Sequence, residues 1–322
     1  MKASALIRVP IPPLCPGRRI EGISAVLLPF TAEDTPDWEG FRRLLDRTWS
    51  VGLTPAVNMD TGYVHLLTMG ERERVLATTA EVAAGRRFVA GAFIDGRDGD
   101  PPALYGREVD RIRRRGGEPI IFQCTALARC SEDDALDVYR AVGAAGPPLL
   151  AFELGQIFAP FGRIYSLDFF ARLLDLDAFV GLKHSSLDRA CEWTRIALRD
   201  QRRPGFRIYS GNDLAIDMAF YGSDYLLGLS AFSVEGFAAR DRLWRESDAR
   251  ALVVNDVLQY LGQVAFRPPV PAYRHSVAQF LKLRGAIDTD RPHPRSPRRP
   301  AADESLLQDI ADRLAAVIAD VS

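Results

Sequence analysis

The chain has 322 residues, 47% of them hydrophobic, with 41 lysines and arginines against 42 acids and a net charge of −1. This composition excludes a largely disordered chain, and the charge balance excludes electrostatic binding of nucleic acid or of an anionic membrane as the main role. A small-molecule partner is therefore expected. Four cysteines (Cys15, Cys124, Cys130 and Cys191) without a CxxC pair point to reduced thiols and the cytoplasm, not to a disulfide framework or a structural zinc site.

The first apolar run is short and broken by Pro10, Pro12 and Pro13, so it is no signal-peptide core. Residues 1–21 are expected to form an extended arm over the domain. No stretch approaches the roughly 18 consecutive apolar residues of a membrane span. Apolar, β-branched-rich runs then recur: GISAVLLPF from 22, TPAVNMD from 54, FVAGAFID from 88 and PIIFQC from 119, then PLLAFELG from 148, FVGLKHSS from 179, RIYSGND from 207 and YLLGLSAFS from 225. Their recurrence, mostly about 30 residues apart, is that of consecutive βα units.

Helix-start signals fall between the runs. Thr35 and Pro36 precede an apolar stripe of Trp38, Phe41, Leu44, Leu45 and Trp49, Thr68 with Glu71 forms a capping-box pattern, and Ser131 with Asp134 repeats it. Each connection can hold a right-handed crossover, so the sheet is expected to be parallel. Without a GxGxxG after the first strand, a closed (β/α)8 TIM barrel over 22–235 is favoured, an open doubly wound sheet being the alternative. From 236 to 322 the pattern is helical and predicts a C-terminal helical region packed on the barrel. It is interrupted by DTDRPHPRSPRRP from 288, read as an extended basic strap in solvent.

In a parallel barrel the reactive groups sit where strands end. This selects Asp60, Thr61, Asp95, Cys124, Thr125, Phe152, Glu153, Lys183 to Ser186, Gly211 to Asp213, and Ser230. The most informative is Lys183, placed inside an apolar strand. Burying an unpaired ammonium costs several kcal/mol or forces it towards the neutral amine, so the lysine is either an ion-pair partner or a nucleophile. Alternation puts Gly181, Lys183 and Ser185 on one face, with Gly181 expected to leave room beside the lysine. Pairing of Lys183 with Glu153 or Asp213 is the competing reading. A metal-dependent alternative would draw on Asp60, His65, Glu153, His184 and Asp213, but no HxH, HExxH or DxD spacing supports it. Cys124 and Cys130 read as inert thiols, and GRDGD from 96 is a turn-rich loop with no phosphate-loop pattern.

Taken together, AVLLPFTAED, MDTGYVHLLTMGERERVL, VGLKHSS and IYSGND resemble, in order and spacing, the motifs of the dihydrodipicolinate synthase and N-acetylneuraminate lyase family. The resemblance spans roughly residues 22–320. It implies a (β/α)8 barrel that holds a 2-keto acid as an imine on Lys183, without a cofactor or metal, in a homo-oligomer, dimer or tetramer. It places Asp60, Thr61 and Gly62 in the loop that holds the keto acid's carboxylate, with Phe152, Ser185, Gly211, Asn212 and Ser230 around the substrate.

The departures from the family pattern are equally specific. Phe152 and Glu153 stand where the family has a proton-relaying tyrosine followed by asparagine, Tyr63 replaces a glutamate, and Asp60 replaces a hydroxyl and should repel a carboxylate. No arginine follows the fifth strand in GQIFAP. Authentic dihydrodipicolinate synthase activity is not expected. Glu153, Tyr63, His65 and His184 are the candidate replacement acids or bases, Glu153 foremost. The expectation is a lysine-imine lyase, aldolase or dehydratase acting on a 2-keto acid. The alternatives are a barrel that binds a small molecule without turnover and a metal-dependent lyase.

Overall fold

The computed structural model describes residue 9 and residues 11–321, so residues 1–8 and 10 of the expected arm lie outside the described residues. Each of the eight apolar runs forms a strand: β1 (Gly22–Ala25), β2 (Thr54–Val57), β3 (Val89–Ala92), β4 (Glu118–Ile121), β5 (Leu149–Leu154), β6 (Phe179–Ser185), β7 (Arg207–Ser210) and β8 (Asp224–Leu227). All neighbours pair in parallel, and β8 closes on β1, with Ile23 opposite Leu226. Closure satisfies every strand edge and leaves no open crevice of the dinucleotide-binding type.

The helices begin where side chains can satisfy free N–H groups. The first, α1 (Trp38–Ser50), starts at Asp37, whose carboxylate accepts the Gly40 N–H at 2.8 Å; Thr35 and Pro36 lie just outside it. Helix α2 (Met69–Ala83) has the full capping box of Thr68 and Glu71. After α3 (Pro101–Arg114), a short α4 (Thr125–Arg129) precedes α5 (Glu132–Gly143), which Ser131 caps. Helices α6 (Leu167–Leu173) and α7 (Arg189–Arg202) follow β5 and β6. Helix α8 (Val234–Arg245) follows β8 and packs on β1. Helices α9 (Arg250–Ala265), α10 (Tyr273–Leu283) and α11 (Asp303–Val321) form the appended region.

The described part of the arm is pinned across the amino-terminal end of the barrel. The Cys15 and Gly17 N–H groups donate to Phe220 O and Trp244 O at 2.8 and 3.0 Å, and Arg18 pairs with Asp224 at 2.9 Å.

The strap at 288–300 forms neither helix nor strand and turns at 294–296, and it does not lie free in solvent. His293, Ser296 and Arg299 are buried. Arg299 donates to Ala265 O at 2.8 Å, Thr289 donates to Phe30 O at 2.6 Å, and Arg295 reaches Leu66 O. Its guanidinium groups serve as caps for carbonyls that the helix ends and loops leave unpaired. No helix among the described residues is long and apolar enough to cross a membrane.

The tightest backbone approach near the carboxyl edge is at Gly91, where a Cβ would lie 2.1 Å from Asn58 O. Gly91→Ala should therefore cost about 1–3 kcal/mol, read as a lowered urea midpoint. An unchanged midpoint would show that β2 and β3 are not held this closely.

Candidate active site

Lys183 projects into the barrel from the carboxyl end of β6, and its ammonium lies 4.4 Å from the centroid of the Phe152 ring. The ring partner is opposite it in the β5–β6 register. Phe122 meets Phe152 edge-on at 5.0 Å, and Phe93 and Phe161 extend the same aromatic wall. Lys183 forms no hydrogen bond and no ion pair among the described residues and is only 7% exposed. Burial pushes its pKa down to about 8, against the opposing pull of Asp213 and Asp60. Lys2, Lys183 and Lys282 are the only lysines of a chain whose other cations are arginines, which cannot supply a neutral amine.

The space beside Lys183 comes from Gly211 and not from Gly181. A Cβ on Gly211 would stand 2.0 Å from Ser185 Oγ and 3.0 Å from Lys183 Cε, whereas one on Gly181 would meet Arg207 O and the Tyr209 ring. Ser185 Oγ is buried here without a hydrogen-bond partner. An unsatisfied hydroxyl next to an unpaired amine is the kind of vacancy that a polar ligand fills.

Asp60 does not present a bare charge. Arg274, from α10, donates to Asp60 Oδ1 at 2.6 Å and to Asp60 O at 2.9 Å, and the Tyr273 hydroxyl donates to Oδ2 at 3.0 Å. Burial alone would raise the Asp60 carboxyl, but Arg274 outweighs it and holds it below the usual range. The repulsion expected of Asp60 towards a carboxylate is thus cancelled by a buried cation. Thr61 Oγ1 shares a 2.9 Å hydrogen bond with Tyr273. The Gly62 and Tyr63 N–H groups are consumed in the turn, by Met59 O and Asp60 O.

Glu153 turns away from the mouth. Alternation sends Phe152 inward and Glu153 outward, between the barrel and α7, where Arg195 donates to it through Nε and Nη2 at 2.9 and 2.8 Å. His184 Nδ1 is 2.6 Å from Oε2, and the Tyr165 N–H donates to Oε1 at 2.9 Å. Burial would raise this carboxyl, but Arg195 and His184 prevail and hold it down to about 2. It is a fixed anion and no substitute for the missing phenol. His184 is held in the same outer cluster.

Tyr63 also departs from the catalytic role expected of it. Its ring packs against Phe30 and His293 at 5.8 and 5.7 Å, and burial pushes its phenol well above the usual range. His65 lies 3.6 Å from Asp60 and is pushed down to about 4 by burial, so it is neutral at pH 7. The Ser230 hydroxyl, just beyond β8, lies 2.9 Å from both Ser24 Oγ and Leu227 O, so it donates to one and the Ser24 hydroxyl can donate to it, tying the end of β8 to β1. Asn212 Oδ1 accepts the Leu214 N–H at 3.1 Å in a local turn. Both are bracing residues. The five acids and histidines considered for a metal divide between the mouth and the outer cluster, and no metal-holding group of three such residues occurs among the described residues.

The acid that does sit with Lys183 is Asp213. It is buried, accepts the Leu229 N–H at 2.7 Å, and is pushed up to about 7 by burial, with Leu229 and the Lys183 charge opposing. The mouth therefore holds an amine and a carboxyl that both titrate near neutrality.

No protein-family model matches the sequence, and no curated protein does. Solved structures do. A prophage protein of the dihydrodipicolinic acid synthase family from E. coli K12, in complex with pyruvate, superposes with a TM-score of 0.80 at 16% identity, over 92% of this chain and 98% of its own. The fold is that of the dihydrodipicolinate synthases. The 4-hydroxy-tetrahydrodipicolinate synthase of Methylacidiphilum fumariolicum gives 0.74 at 20% identity over 94% and 98% of the two chains. The sialic acid aldolase of Ruminococcus gnavus gives 0.80 at 14% identity over 95% and 100%. At these identities the likeness establishes the shared barrel and helical extension, and the chemistry rests on the side chains described above.

The outward placement of Glu153 makes it a stability residue. Glu153→Gln leaves Arg195 and His184 facing each other without a counter-charge and should cost about 3–5 kcal/mol in urea unfolding. A near-neutral effect would mean that Glu153 is not the anion of this cluster.

Proposed function

We propose that the protein is a lysine-imine lyase acting on a 2-keto acid. The observation that carries this reading is the buried, unpaired Lys183 at the carboxyl end of β6, set against the Phe152 ring and the unsatisfied Ser185 hydroxyl. The neutral amine attacks the keto carbon, the carbonyl oxygen is protonated and leaves as water, and the resulting iminium nitrogen serves as electron sink for cleavage or formation of a bond beside it. Asp213 takes the proton-transfer role, since the phenyl ring of Phe152 has no proton to give and the Asp213 carboxyl is half-protonated near pH 7. The Asp60–Arg274 pair makes the Thr61 loop electrically neutral and so able to receive the keto acid's carboxylate.

The loss of the phenol and of an arginine beyond β5 supports a substrate other than that of the lysine pathway. It also supports the second reading, a barrel that captures a keto acid without turning it over.

Incubation with pyruvate and borohydride, followed by intact mass and peptide mapping, tests the proposal. One reduced adduct on Lys183 is expected, absent from Lys183→Met. Folded protein that forms no adduct with pyruvate or with longer 2-keto acids would overturn it. An adduct in Asp213→Asn that forms at the wild-type rate would remove Asp213 from the proton-transfer role.

A stability readout accompanies this. Below pH 8 the folded state must hold the lysine charged at a depressed pKa, a penalty that is lost as pH rises from about 8 to the unfolded value near 10.4. Lys183→Met should thus be more stable than the wild type at pH 7, by about 1–3 kcal/mol, the difference shrinking at higher pH. A destabilised Lys183→Met would show that the amine is a satisfied structural cation.

A further inference from the structure

Behind β6, away from the barrel mouth, a second cluster of charged and nucleophilic groups surrounds Cys191. This residue lies in the first turn of α7, and its N–H donates to the cap residue Asp188 at 3.2 Å. Arg195, one turn further along, spends its Nε and Nη2 on Glu153 and directs its remaining Nη1 to Cys191 Sγ at 2.9 Å and to Cys191 O at 3.3 Å. The guanidinium is itself buried and locked by its two bonds to Glu153, so its contact with sulfur does not depend on a mobile surface side chain. Cys191 is half-buried.

His184 completes the arrangement. Its Nδ1 bonds Glu153 at 2.6 Å and its Nε2 lies 2.7 Å from Ser186 Oγ. Ser186, His184 and Glu153 thus have the connectivity of a serine triad, but the proton count argues against that use. Burial would favour the neutral ring, yet Cys191 and Glu153 outweigh it and push His184 up to about 9, so the ring is an imidazolium with both N–H groups donating. An imidazolium has no lone pair with which to take the serine proton, and Ser186 sends that proton to Asp188 O at 3.3 Å. The group that gains from two adjacent cations is the thiol. Burial alone would raise Cys191, but His184 and Arg195 prevail and bring it below the usual thiol range.

We propose that Cys191 is an activated thiolate, held by Arg195 and His184, and the site at which this protein reacts with hydroperoxides to form a sulfenic acid. The thiolate attacks one oxygen of the peroxide and the O–O bond breaks. Sulfur is oxidised by two electrons to Cys–SOH while the peroxide is reduced to hydroxide, or to alkoxide for an organic hydroperoxide, which takes a proton from solvent and leaves as water or alcohol. Arg195 stabilises the charge that passes from sulfur to the departing oxygen, and a later external thiol returns the residue to its reduced form. The other cysteines lack these partners. Cys124 is buried, burial pushes the Cys130 thiol up, and Cys15 rests its thiol on Pro13 O.

The charged groups facing the sulfur are Arg195 on its own helix, His184 on β6 and Glu153 on β5, with Asp188 capping the helix beside it. The full-length wild type is treated with hydrogen peroxide in the presence of a 1,3-dione that traps sulfenic acids, and labelled peptides are quantified over time at pH 7 and pH 6. Cys191 should label about fivefold or more faster than Cys15 or Cys130, a margin that widens at pH 6, where ordinary thiols are protonated. Cys191→Ser should remove the fast label and leave the slow ones. Labelling of Cys15 or Cys130 first, or equal rates at all three, overturns the proposal. Arg195→Lys, which keeps a cation, should retain a fast Cys191, whereas folded Arg195→Met should slow it; an unchanged rate in folded Arg195→Met would remove Arg195 from the activation. The wild-type comparison decides the main point even if Arg195→Met does not fold.

Discussion

The burial of one ammonium group without a counter-ion is the constraint on which the site depends. Lys183 lies against a phenylalanine ring, in a wall of four phenylalanines, with its nearest acids at a distance that moderates its pKa without forming an ion pair. Such an arrangement is unfavourable for a free-standing strand and persists only because a closed barrel, braced on all sides, over-determines the position of β6. Gly211 next to it and the Ser230–Ser24 link between β1 and the turn after β8 are parts of the same bracing.

Two ion-pair systems, one on each side of the barrel wall, let that constraint hold. Inside the mouth, Arg274 from the helical extension neutralises Asp60, so the appended helices contribute directly to the electrostatics of the site. Outside, Arg195 and His184 bind Glu153 and fix the back of β5 and β6, the two strands that carry Phe152 and Lys183. Buried charges of this kind add little net stability, but removing one partner is costly, and they set orientation. The outer system also leaves one guanidinium N–H for a cysteine, giving this face of the barrel a chemistry independent of the mouth.

The eight strands, their parallel order and the lysine were legible in the sequence because each rests on a local signal: apolar runs at regular spacing, capping residues, and a charge inside an apolar strand. The direction of Glu153 is legible in the sequence, since strict alternation from Phe152 sends it outward, although it adjoins the position vacated by the family's tyrosine. Arg274 and Asp213 could not be weighted from sequence alone. Arg274 lies more than 200 residues from Asp60, on a helix whose stripe gives no hint that an arginine is buried, and the role of Asp213 depends on its burial. The burial of the strap is hidden from the sequence for the same reason, because prolines announce an irregular segment but do not say which carbonyls the intervening arginines will cap.

The most direct test of this account is the titration of Lys183 itself. With three lysines in the chain, protein labelled at the lysine ε-carbon gives few resonances, and the one lost in Lys183→Met is assigned without ambiguity. The account predicts that this resonance titrates with a midpoint near pH 8. A midpoint at the ordinary lysine value of about 10.4 would contradict it, because the mouth would then hold a stable cation and no nucleophile.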